Sequence, residues 1–164
     1  MSRAVVLLLL LTLTAVAHAE TAAFSQFSAE LPPGWSGEEN TGFSSKRGDE
    51  YMLVFNKYDA DRENILGVVS IYLLPPLPDS AKEIAKKLAS NQEGSSTPRK
   101  ENFFWTFSGE PRTQGFKAPA VTLVNATPAR VLIIIMQDPE NMGGNELLAS
   151  LKGLTPEARE VLGR

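Results

Sequence analysis

Few side chains in this sequence could do chemistry, and most of them are carboxylates. Cysteine is absent, and the single histidine, His18, lies in the first nineteen residues. A Ser–His–acid triad needs a histidine base. No Gly-x-Ser-x-Gly elbow or Gly-x-x-x-x-Gly-Lys phosphate loop is present. Tight zinc, copper or haem sites would lack their usual nitrogen and thiolate ligands once His18 is removed. Paired carboxylates remain, since glycoside hydrolysis needs only two held across a cleft. Asp59, Asp61, Glu63, Glu110 and Asp138 are the candidates, all in expected turns where acidic residues are solvated. Asp59, Asp61 and Glu63 are also the metal candidate, with oxygen ligands at the first, third and fifth places of a calcium loop. Asn64 stands where that loop has glycine, and Ser70 where it has its bidentate glutamate. Ser150 and Lys152 are two apart on an expected helix, so they point in different directions and make no dyad. This leaves no catalytic assignment.

Recognition is better provided for. Trp35, Trp105 and Tyr72 are the candidate contact residues for a partner or ligand, the last two as the lining of a pocket between sheet and helix. Phe103, Trp105 and Phe107 alternate on one face of an expected strand, with Phe104 on the other. Leu74-Pro-Pro-Leu-Pro78 reads as a stiff link or a polyproline recognition segment. Asn125-Ala-Thr127 fits a glycosylation acceptor, but Pro128 follows it.

The elements that must position these residues follow a leader. Arg3, the apolar run from Ala4 through Ala17 and the small-x-small site Ala17-His18-Ala19 make residues 1–19 a signal peptide, cut before Glu20. Its apolar part, about 14 residues, falls short of the roughly 20 that a membrane-spanning helix needs. The protein is therefore expected to be periplasmic or secreted, with no stable membrane insertion after cleavage. Formal charge is −3 over the 164 residues, and loss of Arg3 makes it one unit more negative. That argues against nucleic acid as a partner and gives no support to docking on anionic lipid. Without cysteine, the exported domain must rely on its core alone.

Residues 20–26 read as a flexible leader and 27–164 as one domain. Phe27–Leu31 and Thr41–Lys46 are expected strands, with Arg47-Gly48-Asp49 a hairpin turn. Glu50–Tyr58 and Ile65–Leu74 follow, the second apolar on both faces. Ser80 with Glu83 is a capping box opening a helix that Gly94 stops. Asn102–Phe107, Ala120–Asn125 and Ala129–Gln137 are further strands, the last continuously apolar and β-branched like a buried central strand. Glu146–Lys152 and a turn from Thr155-Pro156 to Leu162 close the chain as helices. Short connections favour antiparallel pairing. Strands apolar on both faces require cover on both. The expected fold is α+β, a mainly antiparallel sheet of six to seven strands sandwiched between helices in three layers.

Phe27-x-x-x-Leu31-Pro32-x-Gly34-Trp35 resembles the opening of PsbP-like domains, and Glu146-Leu-Leu-x-Ser-Leu-Lys152 resembles their closing helix. The resemblance implies an antiparallel sheet between helices and an accessory, non-enzymatic role. With it, the expected function is exported binding through protein–protein contacts with an envelope partner, without a cofactor unless calcium binds. The other readings are a small-ligand carrier and a carboxylate-based hydrolase.

Overall fold

The computed structural model describes residues 20–40, 49–112 and 116–164. The leader, the expected strand 41–46, and Arg47 and Gly48 of the expected turn lie outside the described residues. In chain order the elements begin with strands β1 (Glu20–Ala23), β2 (Phe27–Leu31), β3 (Trp35–Asn40), β4 (Tyr51–Tyr58) and β5 (Ile65–Leu74). Helix α1 (Ala81–Ser90) precedes β6 (Gln92–Glu93), β7 (Arg99–Glu101), β8 (Phe104–Pro111), β9 (Ala120–Ala126) and β10 (Val131–Gln137). The chain ends with α2 (Gly144–Ser150), β11 (Lys152–Gly153) and α3 (Pro156–Leu162).

β5 and β10 lie side by side at the centre, from Leu74 opposite Val131 to Val68 opposite Gln137. Side chains alternate between faces along a strand, so Leu132 and Ile134 enter one core and Val131 and Ile133 the other. Burial of each such residue stabilises the fold by about 1.5–3 kcal/mol, which explains an unbroken apolar run at this position. The sheet continues outward in the order β3-β4-β5-β10-β9-β8-β6, with β7 also paired to β8, and its pairings are antiparallel.

α1 forms where the sequence signals it. Ser80 Oγ accepts from the Glu83 amide, and the Glu83 carboxylate accepts from the Ser80 amide at 2.8 Å. The helix ends at Ser90, short of Gly94, which instead takes a left-handed conformation (φ 60°) in the turn after β6. α3 likewise starts on Thr155, whose hydroxyl accepts from the Ala158 amide. Leu74–Pro78 serves as the link from β5 to α1.

Several expectations are corrected. Residues 20–26 are no loose leader: β1 pairs with β2 from Glu20 opposite Leu31 to Ala23 opposite Ser28. Phe24 secures them, edge-on to Phe55 with ring centroids 5.5 Å apart. The helix expected over 146–152 runs from Gly144 to Ser150, because Leu151 turns extended and Lys152 pairs with Ser28. β1, β2 and β11 thus form a second, three-stranded sheet, and the main sheet has eight strands, not six or seven. The layer opposite α1 is therefore a small sheet together with α2 and α3. It is tied together by Leu154 N donating to Gln26 O at 2.8 Å and Thr155 Oγ1 to Gln26 Oε1 at 2.7 Å.

Candidate functional site

Trp105 and Tyr72 share one row across the sheet. Register places Lys100, Trp105, Val124, Ile133, Tyr72, Met52 and Asn40 opposite one another on seven successive strands. Paired residues project to the same face, and this is the face that α1 covers. With two strands between them, Trp105 and Tyr72 stand about 14 Å apart. Ile84 and Ala85 of α1 press on that gap, leaving Val124 fully buried and Ile133 8% exposed. α1 packs over β8 and β9, and both aromatics pack, partly buried, against the cluster that it covers.

Trp35 is a plug, not a surface contact. Its indole is 5% exposed, and Nε1 donates to Met142 O at 2.9 Å. Gly34, in the left-handed region (φ 78°), lets the chain double back so that the Trp35 amide donates to Pro32 O at 3.1 Å. Asp138 builds the loop that receives the indole, its two carboxylate oxygens accepting from Met142 N and Gly144 N, each at 2.8 Å. A residue weighed as a catalytic acid is thus occupied in holding a loop.

Asp59 is similarly occupied. Oδ1 accepts from the Glu63 amide at 2.9 Å and Oδ2 from Asn64 Nδ2 at 2.7 Å. The Asn64 side chain, with help from the turn's amides, holds the Asp59 carboxyl below its usual range. Among the described residues no three His, Cys, Asp or Glu side chains gather as a metal-holding group. Asp59, Asp61 and Glu63 are therefore spaced like a calcium loop but folded as a self-bonded turn. Ser150 Oγ accepts from Glu30 N at 2.8 Å and donates to Leu147 O at 2.9 Å. The Asn125 amide donates to Val161 O at 2.7 Å.

Glu39 is the acceptor at the centre of a hydrogen-bonded cluster with Ser25 and Tyr51. One carboxylate oxygen accepts from Tyr51 OH at 2.7 Å, from Ser25 Oγ at 2.8 Å and from the Ser25 amide. Burial pushes its pKa up, but the hydrogen bonds from Tyr51 and Ser25 outweigh that and hold it below the ordinary value. Burial, and then the adjoining Glu39 carboxylate, push the Tyr51 hydroxyl well above its ordinary value.

A concave feature lies on the face opposite α1. α2 and α3 leave the β8 end of that face uncovered, and a groove of about 630 Å3 opens there. Phe104, Val121, Leu123 and Met136 form its floor, Leu148 of α2 one wall, and Phe103 with Gly163 the rim. Phe103 departs from its expected place. It was expected in a strand with Trp105 and Phe107, but Asn102 adopts a left-handed conformation (φ 54°) and makes a two-residue turn from Glu101 to Phe104. Phe103 occupies that turn and is 59% exposed, the most exposed large hydrophobic among the described residues. A smaller hollow of about 440 Å3 lies over β3 and β4, at Glu38, Met52, Val54 and Asn56.

Fold and surface together define an α+β sandwich with an open groove beside its C-terminal helices. No family model and no curated protein matches the chain. In fold it is similar to the solution structure of cyanobacterial PsbP (CyanoP) from Synechocystis sp. PCC 6803, at a TM-score of 0.47 and 11% identity, over 85% of this chain and 95% of that one.

Proposed function

We propose that this protein is an exported, non-enzymatic accessory factor of the cell envelope, released by cleavage after Ala19, that binds another protein through the groove beside α2. The observation that carries the reading is Phe103, an aromatic side chain held out of the core by a tight turn at the rim of an apolar floor. Exposed apolar surface contiguous with a groove is the kind of surface that partners cover, and aromatic anchors dominate such contacts. The non-catalytic part of the reading is supported by the engagement of Asp59, Asp138 and Ser150 in bonds to their own loops. Export rests on the leader; among the described residues no helix is long and apolar enough to cross a membrane.

Affinity capture of wild type and Phe103→Ser from the native envelope fraction, read by mass spectrometry, tests this reading. A partner retained by wild type and lost with the variant supports it. An identical catch with both variants counts against the groove.

A small-ligand carrier is the second reading. The groove volume falls within the roughly 300–1,000 Å3 typical of ligand pockets. Native mass spectrometry of protein purified without detergent would reveal a retained apolar ligand, and Leu123→Glu should abolish its retention.

A further inference from the structure

Cations gather around one aromatic ring on the α1 face of the sheet, away from the groove. Lys82 Nζ lies 5.2 Å from the centroid of the Trp105 ring. Lys100 stands directly opposite Trp105 across the β7–β8 ladder, so its side chain leaves the sheet on that same face. Lys86 follows Lys82 by one helical turn and shares its flank of α1. All three lysines are exposed, and the indole is half-buried.

Among the described residues no ion pair engages these three lysines. Of the neighbouring basic residues, Lys87 pairs with Asp79 at 2.7 Å and Arg99 with Glu101 at 3.7 Å. Neither ion pair involves Lys82, Lys86 or Lys100. Glu101 is opposite Phe104 and so belongs to the other face. Glu83 is bound to Ser80 in the capping box. A chain of net charge −3 thus carries a local concentration of positive charge around an indole edge.

We propose that this patch binds an acidic segment of a partner protein carrying an apolar side chain. The partner's carboxylates meet Lys82, Lys86 and Lys100, and its apolar group covers the edge of Trp105. Charge complementarity selects the acidic partner, and the indole adds an apolar anchor of the kind that concentrates binding energy. A protein segment fits better than an anionic membrane. A segment touches only the patch, whereas a bilayer would face the acidic remainder of the domain, against which three lysines contribute only about 1 kcal/mol each. The patch and the groove lie on opposite faces, so each can fail without the other.

The test is a titration of isotope-labelled protein, followed by NMR, with a glutamate-rich peptide containing a central phenylalanine. Shifts should appear at the Trp105 indole N–H and at the Lys82 and Lys100 amides, and weaken as salt rises. The double variant Lys82→Gln/Lys100→Gln should keep the amide spectrum and bind about tenfold more weakly. No shift at Trp105, or equal affinity in the double variant, overturns the proposal. So does lysine-dependent binding to phosphatidylglycerol-containing vesicles without a response to the peptide, which would make the partner a lipid surface. Phe103→Ser should leave the titration unchanged.

Discussion

The ring of Phe103 lies against Gly163, so close that a Cβ at position 163 would stand 2.8 Å from its ring carbons. Gly163 caps α3 with a left-handed backbone (φ 78°), and its amide donates to Arg159 O at 3.0 Å. The rim of the groove is thus set by a contact between a hairpin turn and the last helix. Arg164 completes that corner by donating to the carbonyls of Leu148 and Ala149 at the end of α2.

Gly163→Ala should disturb this corner twice over, through a left-handed backbone costing about 1–2 kcal/mol for a residue with a Cβ, and through the clash with Phe103. Thermal unfolding should fall by several degrees, on the order of 2–4 °C per kcal/mol for a domain of this size. The Phe103 ring resonances should shift while those of Trp35 stay in place.

Trp35→Phe keeps an aromatic ring but leaves Met142 O without its donor and opens space above Gly67, which the indole contacts. A loss of about 2–4 kcal/mol is expected in denaturant unfolding. Faster amide exchange should follow at Met142 and Gly144, whose positions depend on the loop that the indole holds.

The Glu39–Tyr51 pair makes stability fall at both ends of the pH range. Glu39 has a depressed folded pKa, so its contribution is present above the unfolded value near 4.5 and is lost as pH falls through the lower folded value. Tyr51 has a raised folded pKa, so its contribution is present below the unfolded value near 10.0 and is lost as pH rises beyond it. Melting temperatures across pH should show both declines. Glu39→Gln should flatten the acid limb, and Tyr51→Phe should flatten the alkaline one.

Asp59 and Asp61 should behave differently although the sequence gives them equal standing as metal ligands. Asp59→Ala removes two accepted hydrogen bonds and should lower the melting temperature. Asp61→Ala, at an exposed site, should stay within about 0.5 kcal/mol. Calcium at millimolar concentration should leave the melting temperature of wild type unchanged. A calcium-dependent rise abolished by Asp61→Ala would restore the metal site.

Local signals were legible in the sequence and long-range ones were not. Ser80 and Glu83 specify α1 within four residues, and the β-branched run to Met136 specifies a doubly buried strand from its own composition. β1 is Glu-Thr-Ala-Ala, without strand character of its own, and becomes a strand only because β2 supplies its hydrogen bonds. Pairing of Lys152 with Ser28 joins the two ends of the domain, and nothing in either segment announces the other. Parity placed Trp105 and Tyr72 on one face, and both pack against the cluster that α1 covers. Phe103 was misplaced because an alternating aromatic run gives no sign that Asn102 will turn left-handed. The groove follows from where α2 and α3 stop along the sheet, a tertiary fact with no local signature.

Photo-crosslinking from position 103 tests the central claim most directly. A photoreactive phenylalanine analogue replacing Phe103, in protein exported by its native host, is predicted to give one discrete crosslinked protein. The same analogue at Leu77, an exposed site on the link before α1, should give none. No adduct at position 103, or the same adducts from both positions, would contradict the groove as a protein-binding site.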